Sequence, residues 1–333
     1  MRPEQVNFLN IGLMIASAAA AFVLPFELFL FSYAVLGPLH YLTQISWLHT
    51  RGYFTTGKND YLLLVALCVC IGLLKFVVSG VDAEGWATTT VMVAFGAAAA
   101  FAFARSLWVK GALVVGAFVI AQFVSDVESA RVLFATFVPT IIHVYVFTAA
   151  FILFGALRSR SASGLASLGV FAACSASFFL VTTTAGRPLG TYVMNSYSSF
   201  EGVNVALAAW LGFGAMERGP EVYTSATGVM LMRFIAFAYT YHFLNWFSKT
   251  SVIQWHKIPR PWAIANVCLW LTSLVLYWWD YRIGMLTLFT LSFLHVFLEL
   301  PLDVRTFVGI GQELARLGDE RSGVAAAARS TRR

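Results

Sequence analysis

The chain has 333 residues, 59% hydrophobic and 11% charged, with a mean hydropathy of +0.76. That composition excludes an ordinary soluble globular domain, and apolar stretches near twenty residues long exclude a β-barrel, whose strands alternate over about ten residues. The net charge of +6 lies largely in short loops and in the segment from Arg305 to Arg333, so it reads as a determinant of membrane orientation and not as a nucleic-acid footprint.

The fold class that follows is all-α: a polytopic integral membrane helical bundle filling residues 1–303 as one domain. The first span, Phe8–Leu24, imitates a signal peptide, with Arg2 ahead of it and small residues from Ala16 to Ala21. Apolar sequence continues from Phe22 to Leu36, however, so the segment reads as an uncleaved span. Phe26–Leu48 follows, opened by Glu27, and then Tyr61–Ser79, Trp86–Ala104, Leu107–Val124, Val132–Leu157 and Gly164–Thr184. Lys75 can snorkel from the third of these. Thr182–Asn204 is rich in Gly, Ser, Thr and Tyr and reads as the longest loop, and Val203–Met216 is short enough to be partial or re-entrant. Val222–Phe247, which carries Arg233, Trp262–Trp279 and Ile283–Leu300 bring the expected crossings to about ten.

Beyond the last span, Phe307, Ile310, Leu314 and Leu317 recur at helical spacing. Residues 304–318 therefore read as an interfacial amphipathic helix, and 319–333 as a disordered basic cytoplasmic tail. The loops holding Arg51 and Lys58, Arg105 and Lys110, Arg158 and Arg160, and Lys249, Lys257 and Arg260 are basic. Those holding Asp82 and Glu84, or Asp126 and Glu128, are acidic. The positive-inside rule then puts both termini in the cytoplasm, with a bacterial inner (cytoplasmic) membrane as the expected location. Cys68, Cys70, Cys174 and Cys268 all lie in apolar runs and read as buried, unpaired thiols.

Of the six histidines, His40, His143, His242 and His295 sit inside expected spans. An ionisable side chain at that depth is costly without a partner and marks a functional site by default. In the orientation above, all four of their helices run the same way. The imidazoles then fall about 10 to 21 Å from the cytoplasmic interface, at a rise of 1.5 Å per residue. His40 follows Gly37-Pro38 and His143 follows Pro139, so both helices are expected to deform near their histidines. His295 has Glu299 one turn on, Gln44 stands in the same relation to His40, and Asn245 is three residues past His242. His49 lies on the far helix face from His40, and His256 lies in a basic loop; both read as peripheral.

These residues form a candidate metal site: His40, His143, His242 and His295 as ligands, Glu299 as ligand or base, and Gln44 and Asn245 in support. Imidazole ligation suits iron, zinc or copper, and b-type haem held by two histidines is a further possibility. Many spans with dispersed single histidines make the chain resemble the Brp/Blh-type membrane carotene dioxygenases. The nearest local likeness is Gly37-Pro38-Leu39-His40, against Pro-His-Gly-x-x-Asp-His in that family. Here Leu39 intervenes, Tyr41 replaces the glycine and no Asp-His pair follows. The resemblance implies non-haem iron held by histidines. The leading expectation is an iron-dependent oxidoreductase acting on an apolar lipid or isoprenoid that enters from the bilayer. The alternatives are a proton-coupled transporter using the same His and Glu residues, and a haem-binding membrane protein.

Overall fold

The computed structural model describes residues 2–76, 83–125, 127–181 and 187–330, without the side chains of residues 75, 76, 83, 84, 135 and 321–330. Helices follow one another through this whole range, and no strand occurs among the described residues. Among the described residues a helix lies under every expected span, and eight helices are long and apolar enough to cross a membrane. Tyr61–Phe76 has a shorter apolar core, and Lys75, Asp82 and Asp126 lie on positions whose side chains or backbone fall outside the description. Ala226–Ser248 is long enough, but Arg233, Thr240, His242 and Asn245 make it more polar, and it is buried on nearly every face. It is the central post of the bundle.

The outer helices turn apolar side chains outward. Leu107–Val124 exposes Trp108, Val115, Ile120 and Phe123, and Arg260–Trp279 exposes Ile264, Leu271, Trp278 and Trp279. So much exposed apolar surface is compatible with an integral membrane protein surrounded by hydrocarbon. Cys268 on Arg260–Trp279 and Cys70 on Tyr61–Phe76 are exposed as well; only Cys68 is buried, and Cys174 is intermediate. The expectation of four buried thiols therefore holds for one. A thiol is small and apolar enough to face lipid as readily as a core.

Between helices the contacts are close, and outside the histidine layer several polar groups are paired. A side chain at Gly96 would overlap Ala117, so Ala83–Phe103 and Leu107–Val124 meet backbone to backbone. The Asn266 amide donates to Ser46 Oγ at 2.9 Å, and Ser32 and Thr240 share a hydrogen bond of 2.8 Å. Lys110, expected in a basic loop, is instead buried in an ion pair with Asp60 at 2.6 Å. Lys110→Met leaves that largely buried carboxylate with only its hydrogen bond from the Gly57 N–H, and thermal unfolding should show a loss of up to about 3 kcal/mol. An unchanged melting temperature would mean that water replaces the ammonium.

The long segment Thr182–Asn204 is not a plain loop. Beyond residues 182–186, which lie outside the description, it contains the helix Thr191–Tyr197 and runs into the ten-residue helix Glu201–Trp210. The latter is about 15 Å long, about half of a hydrocarbon core, and residues 211–216 of the expected partial segment lie beyond it and are not helical. Tyr197 donates to Asn204 Oδ1 at 2.6 Å, Tyr223 donates to Glu201 Oε1 at 2.6 Å, and Arg187 pairs with Glu27. These bonds pack the segment against the bundle as a cap.

The C-terminal region also differs from expectation. Tyr281–Ser330 is one continuous helix, so 304–318 prolongs the last span and the backbone stays helical through Ser330 of the expected disordered tail. Its first part docks on the bundle. Arg305 donates to the Ala102 carbonyl at 2.7 Å, and Phe307 meets Phe147 edge-on. The hydrophobic stripe thus splits between protein and surroundings, with Leu314 exposed. The contact holds the helix course past Pro301, where a proline would otherwise invite a break.

Candidate metal centre

Four helices deliver the histidines. Two of them are locally underwound to π geometry, with backbone bonds closing wider turns: Ser32–Leu36, directly before Gly37-Pro38, and Val132–Phe147, which contains Pro139 and His143. The prolines explain the location, since a wider turn relieves the clash of the ring with the preceding carbonyl, and such turns recur at functional sites. A further effect is a shift in helix phase. Thr148, five residues past His143, consequently lies beside the neighbouring helix's His242.

All four imidazoles converge. His40 and His143 each lie against both His242 and His295, with ring centres 4.8 Å (His40–His242), 5.5 Å (His40–His295), 4.9 Å (His143–His242) and 4.9 Å (His143–His295) apart. His143 Nε2 and His295 Nε2 are 3.1 Å apart. Imidazoles bound to one ion through metal–nitrogen bonds of about 2.0–2.1 Å hold their ligand atoms about 3 to 3.4 Å apart and their ring centres about 5 Å apart. The rings therefore stand at the separation that a shared ion requires.

Carboxylates close one side. Glu299 Oε2 lies 3.8 Å from His143 Nε2, and Asp303 is one turn further along the same helix. Ligand atoms of His40, His242 and His295 all lie within 4.8 Å of one another, and so do those of His143, Glu299 and Asp303. Each of these six residues, with Gln44 and Asn245, is at most 7% exposed. The Gln44 side chain hydrogen-bonds to Glu299. Asn245 instead accepts a longer contact from Tyr241 at 3.4 Å, so it belongs to the polar wall around the site.

Neighbours orient the rings. Thr148 Oγ1 is 2.9 Å from His242 Nδ1, which leaves Nε2 of that ring facing the cluster. Tyr41 stacks on His295 with ring centres 4.2 Å apart. Gly37, one turn before Tyr41, makes room for it: a methyl group there would stand 3.0 Å from the tyrosine oxygen. Gly37→Ala should therefore displace Tyr41 and loosen His295, read as a several-fold weaker retention of any bound metal without a change in oligomeric state. Unaltered retention would show that the stacking does not position His295.

The unmet bonding capacity is concentrated here. Both nitrogens of His40, Nδ1 of His143 and His295, Nε2 of His242, Oε1 of Gln44, Oε2 of Glu299 and both oxygens of Asp303 are buried without a hydrogen-bond partner. Buried polar atoms are nearly always satisfied, and so many orphans in one place call for a group that accepts their lone pairs. A cation can take one nitrogen of each ring and the carboxylate oxygens, since the two nitrogens of an imidazole point apart and cannot share one ion.

Sequence reasoning placed His40, His143, His242, His295, Glu299 and Gln44 together, and the structure brings them together. It separates the other two histidines. His49 stacks on Trp262 and contacts Tyr53, and His256 is exposed in its loop. Asp303 escaped notice because it lies past the expected end of the last span, yet continuing the four-residue spacing from His295 through Glu299 reaches it. Thr148 could not be found from a regular helical pattern, because the π turn changes its phase.

Cavities reach the cluster from both ends. One of about 620 Å³ touches His40, His242 and Glu299 and is lined largely by residues that follow the histidines along their helices, among them Trp47, Thr148, Trp246 and Thr306. Another, of about 310 Å³, touches His143 and His295 and is lined by residues that mostly precede them, including Tyr33, Thr136, Pro139 and Ser292. The four helices thus run in the same direction through the layer of imidazoles.

Together these features define an all-helical protein, compatible with membrane insertion, whose buried histidine–carboxylate cluster could hold a metal ion. Comparisons with protein-family models, curated proteins and solved structures find no match.

Proposed function

We propose that the chain is an integral membrane metalloprotein in which His40, His143, His242 and His295 ligate an ion, with Glu299 and Asp303 beside them. The observation that carries this reading is the convergence of four buried imidazoles beside two buried carboxylates, with polar atoms of all six residues lacking a hydrogen-bond partner. Mixed imidazole and carboxylate donors without thiolate suit iron, and zinc or copper would also accept the imidazoles. Iron would supply one-electron and dioxygen chemistry, which makes an oxidoreductase acting on a lipid or isoprenoid the reading we favour.

The protein's own side chains have definable parts in that reaction. Thr148 holds the His242 ring in place and Tyr41 the His295 ring. Glu299, near His143 and bonded to Gln44, is placed to take up or return a proton at the edge of the ligand set. The larger cavity, walled by Trp47, Phe151 and Phe154, shelters an apolar substrate from water. The 3.1 Å nitrogen separation favours a lone ion over haem, since two imidazoles on opposite sides of one haem iron stand about 4 Å apart. About ten crossings, cytoplasmic termini and an inner-membrane location complete the proposal.

Metal analysis of the purified protein with an absorption spectrum tests it. Stoichiometric iron without a Soret band is the expected result. A Soret band would replace this reading by the haem one, and a protein that takes up no metal would overturn both. One observation favours a second reading: cavities approach the histidines from both ends, as a proton-coupled transporter requires. Substrate-driven proton uptake into vesicles, unaffected by metal removal, would establish transport instead.

A further inference from the structure

The larger cavity differs at its two ends. Its inner end is the histidine cluster, and its walls are aromatic and aliphatic. Arg51, Arg158 and Lys249 line it at the ends of their helices, and the two arginines are exposed. From His40 to Arg51 the helix rises about 16 Å, so the charged rim and the cluster are separated by the length of an extended hydrocarbon chain of medium size. Among the described residues, Glu299 at the inner end is the one acidic residue lining the cavity, and none of the three cations has a carboxylate within ion-pair distance. Lys249 is half-buried, and burial pushes its ammonium down to about 8. A negative group beside it would offset that cost.

An apolar tunnel with a cationic rim is complementary to a molecule that is apolar along its length and negative at one end. Arginine forks match carboxylate and phosphate oxygens in pairs. We infer that the cavity binds a single-chain amphiphile with an anionic head group, the head held by Arg51, Arg158 and Lys249 and the chain directed toward His40 and His242. This rests on the proposed metal centre as the reactive end, and it narrows the substrate from any lipid or isoprenoid to an acidic one. The polar patch on the wall, where Asn10 accepts hydrogen bonds from Tyr241 at 3.1 Å and Ser248 at 2.9 Å, lies between rim and cluster and suits a substituent partway along the chain.

Equilibrium binding to the full-length protein in neutral detergent tests the inference with three probes of equal chain length: a fatty acid, an alkyl phosphate and the uncharged alcohol. The acid or the phosphate should bind at least about 10-fold more tightly than the alcohol, and whichever binds better identifies the head group. The double variant Arg158→Gln/Lys249→Gln should lose that preference while binding the alcohol as before, and Lys257→Gln, outside the cavity, should keep it. Equal binding of all three probes, a preference that survives the double variant, or one lost equally in Lys257→Gln would overturn it. Metal content measured on the same samples separates the two readings. A metal-free His143→Ala protein that keeps the head-group preference supports the amphiphile site on its own. A metal-loaded wild-type protein without the preference rejects the site and leaves the metal standing.

Discussion

His143→Ala and His295→Ala are expected to abolish stable metal binding, whereas His49→Ala and His256→Ala should retain the wild-type amount. The first two rings approach nitrogen to nitrogen at 3.1 Å in the buried centre of the bundle, so losing either removes an adjacent donor and leaves the others too few. Loss of a hydrogen-bonding partner of a ligand already costs about 10- to 100-fold in affinity, and loss of the ligand itself should exceed that. Stability supplies an independent readout. A chelator should lower the melting temperature of the loaded wild-type protein, because the ion binds only the folded chain. In His143→Leu the chelator should have no effect. Without metal, that variant should melt no lower than the metal-free wild type, since an apolar residue relieves a buried unsatisfied group. Full metal content in His143→Ala and His295→Ala would remove these histidines from the site.

The second large effect concerns the carboxylates. Glu299 and Asp303 sit one turn apart on one helix, both buried, with Oε2 of the first and both oxygens of the second unpartnered. Two such groups in a dielectric this low require a cation or must give up their charge. Glu299→Gln and Asp303→Asn should each weaken metal binding about 10- to 100-fold, and the double variant should hold none. Both substitutions preserve shape, so the folded state should survive and the titration remain interpretable. Wild-type affinity in the double variant would exclude the carboxylates and confine the ion to His40, His242 and their ring neighbours.

Much of this site was legible before any coordinates. A histidine or glutamate inside an apolar run is conspicuous because hydrocarbon tolerates so few of them, and four-residue spacing places Glu299 on the face of His295. The prolines near His40 and His143 marked where those helices depart from regular geometry. What the linear pattern could not carry was the amount of the departure. The π winding around His143 rotates everything after it, which brings Thr148 to His242 and defeats a count based on regular turns. Likewise Asp303 falls beyond the apolar run that defined the last span, and its role depends on the helix continuing past Pro301 because Arg305 and Phe307 dock on the bundle. The cap formed by Tyr197, Asn204, Glu201 and Tyr223 was hidden for a similar reason, since its polar residues read as loop until packing pairs them.

By itself the sequence determined the helical class, the position of nearly every long helix, and which polar residues a lipid-like interior would not leave unused. These follow from local quantities: the length of an apolar run, the cost of a buried charge and the helical repeat. Only the tertiary structure decided that His40, His143, His242 and His295 meet in one layer, that Asp303 joins them, and that a cavity with a basic rim leads to them. Convergence depends on how separate helices rotate and slide against one another, and that is set by packing across the whole bundle, which no single stretch of chain encodes.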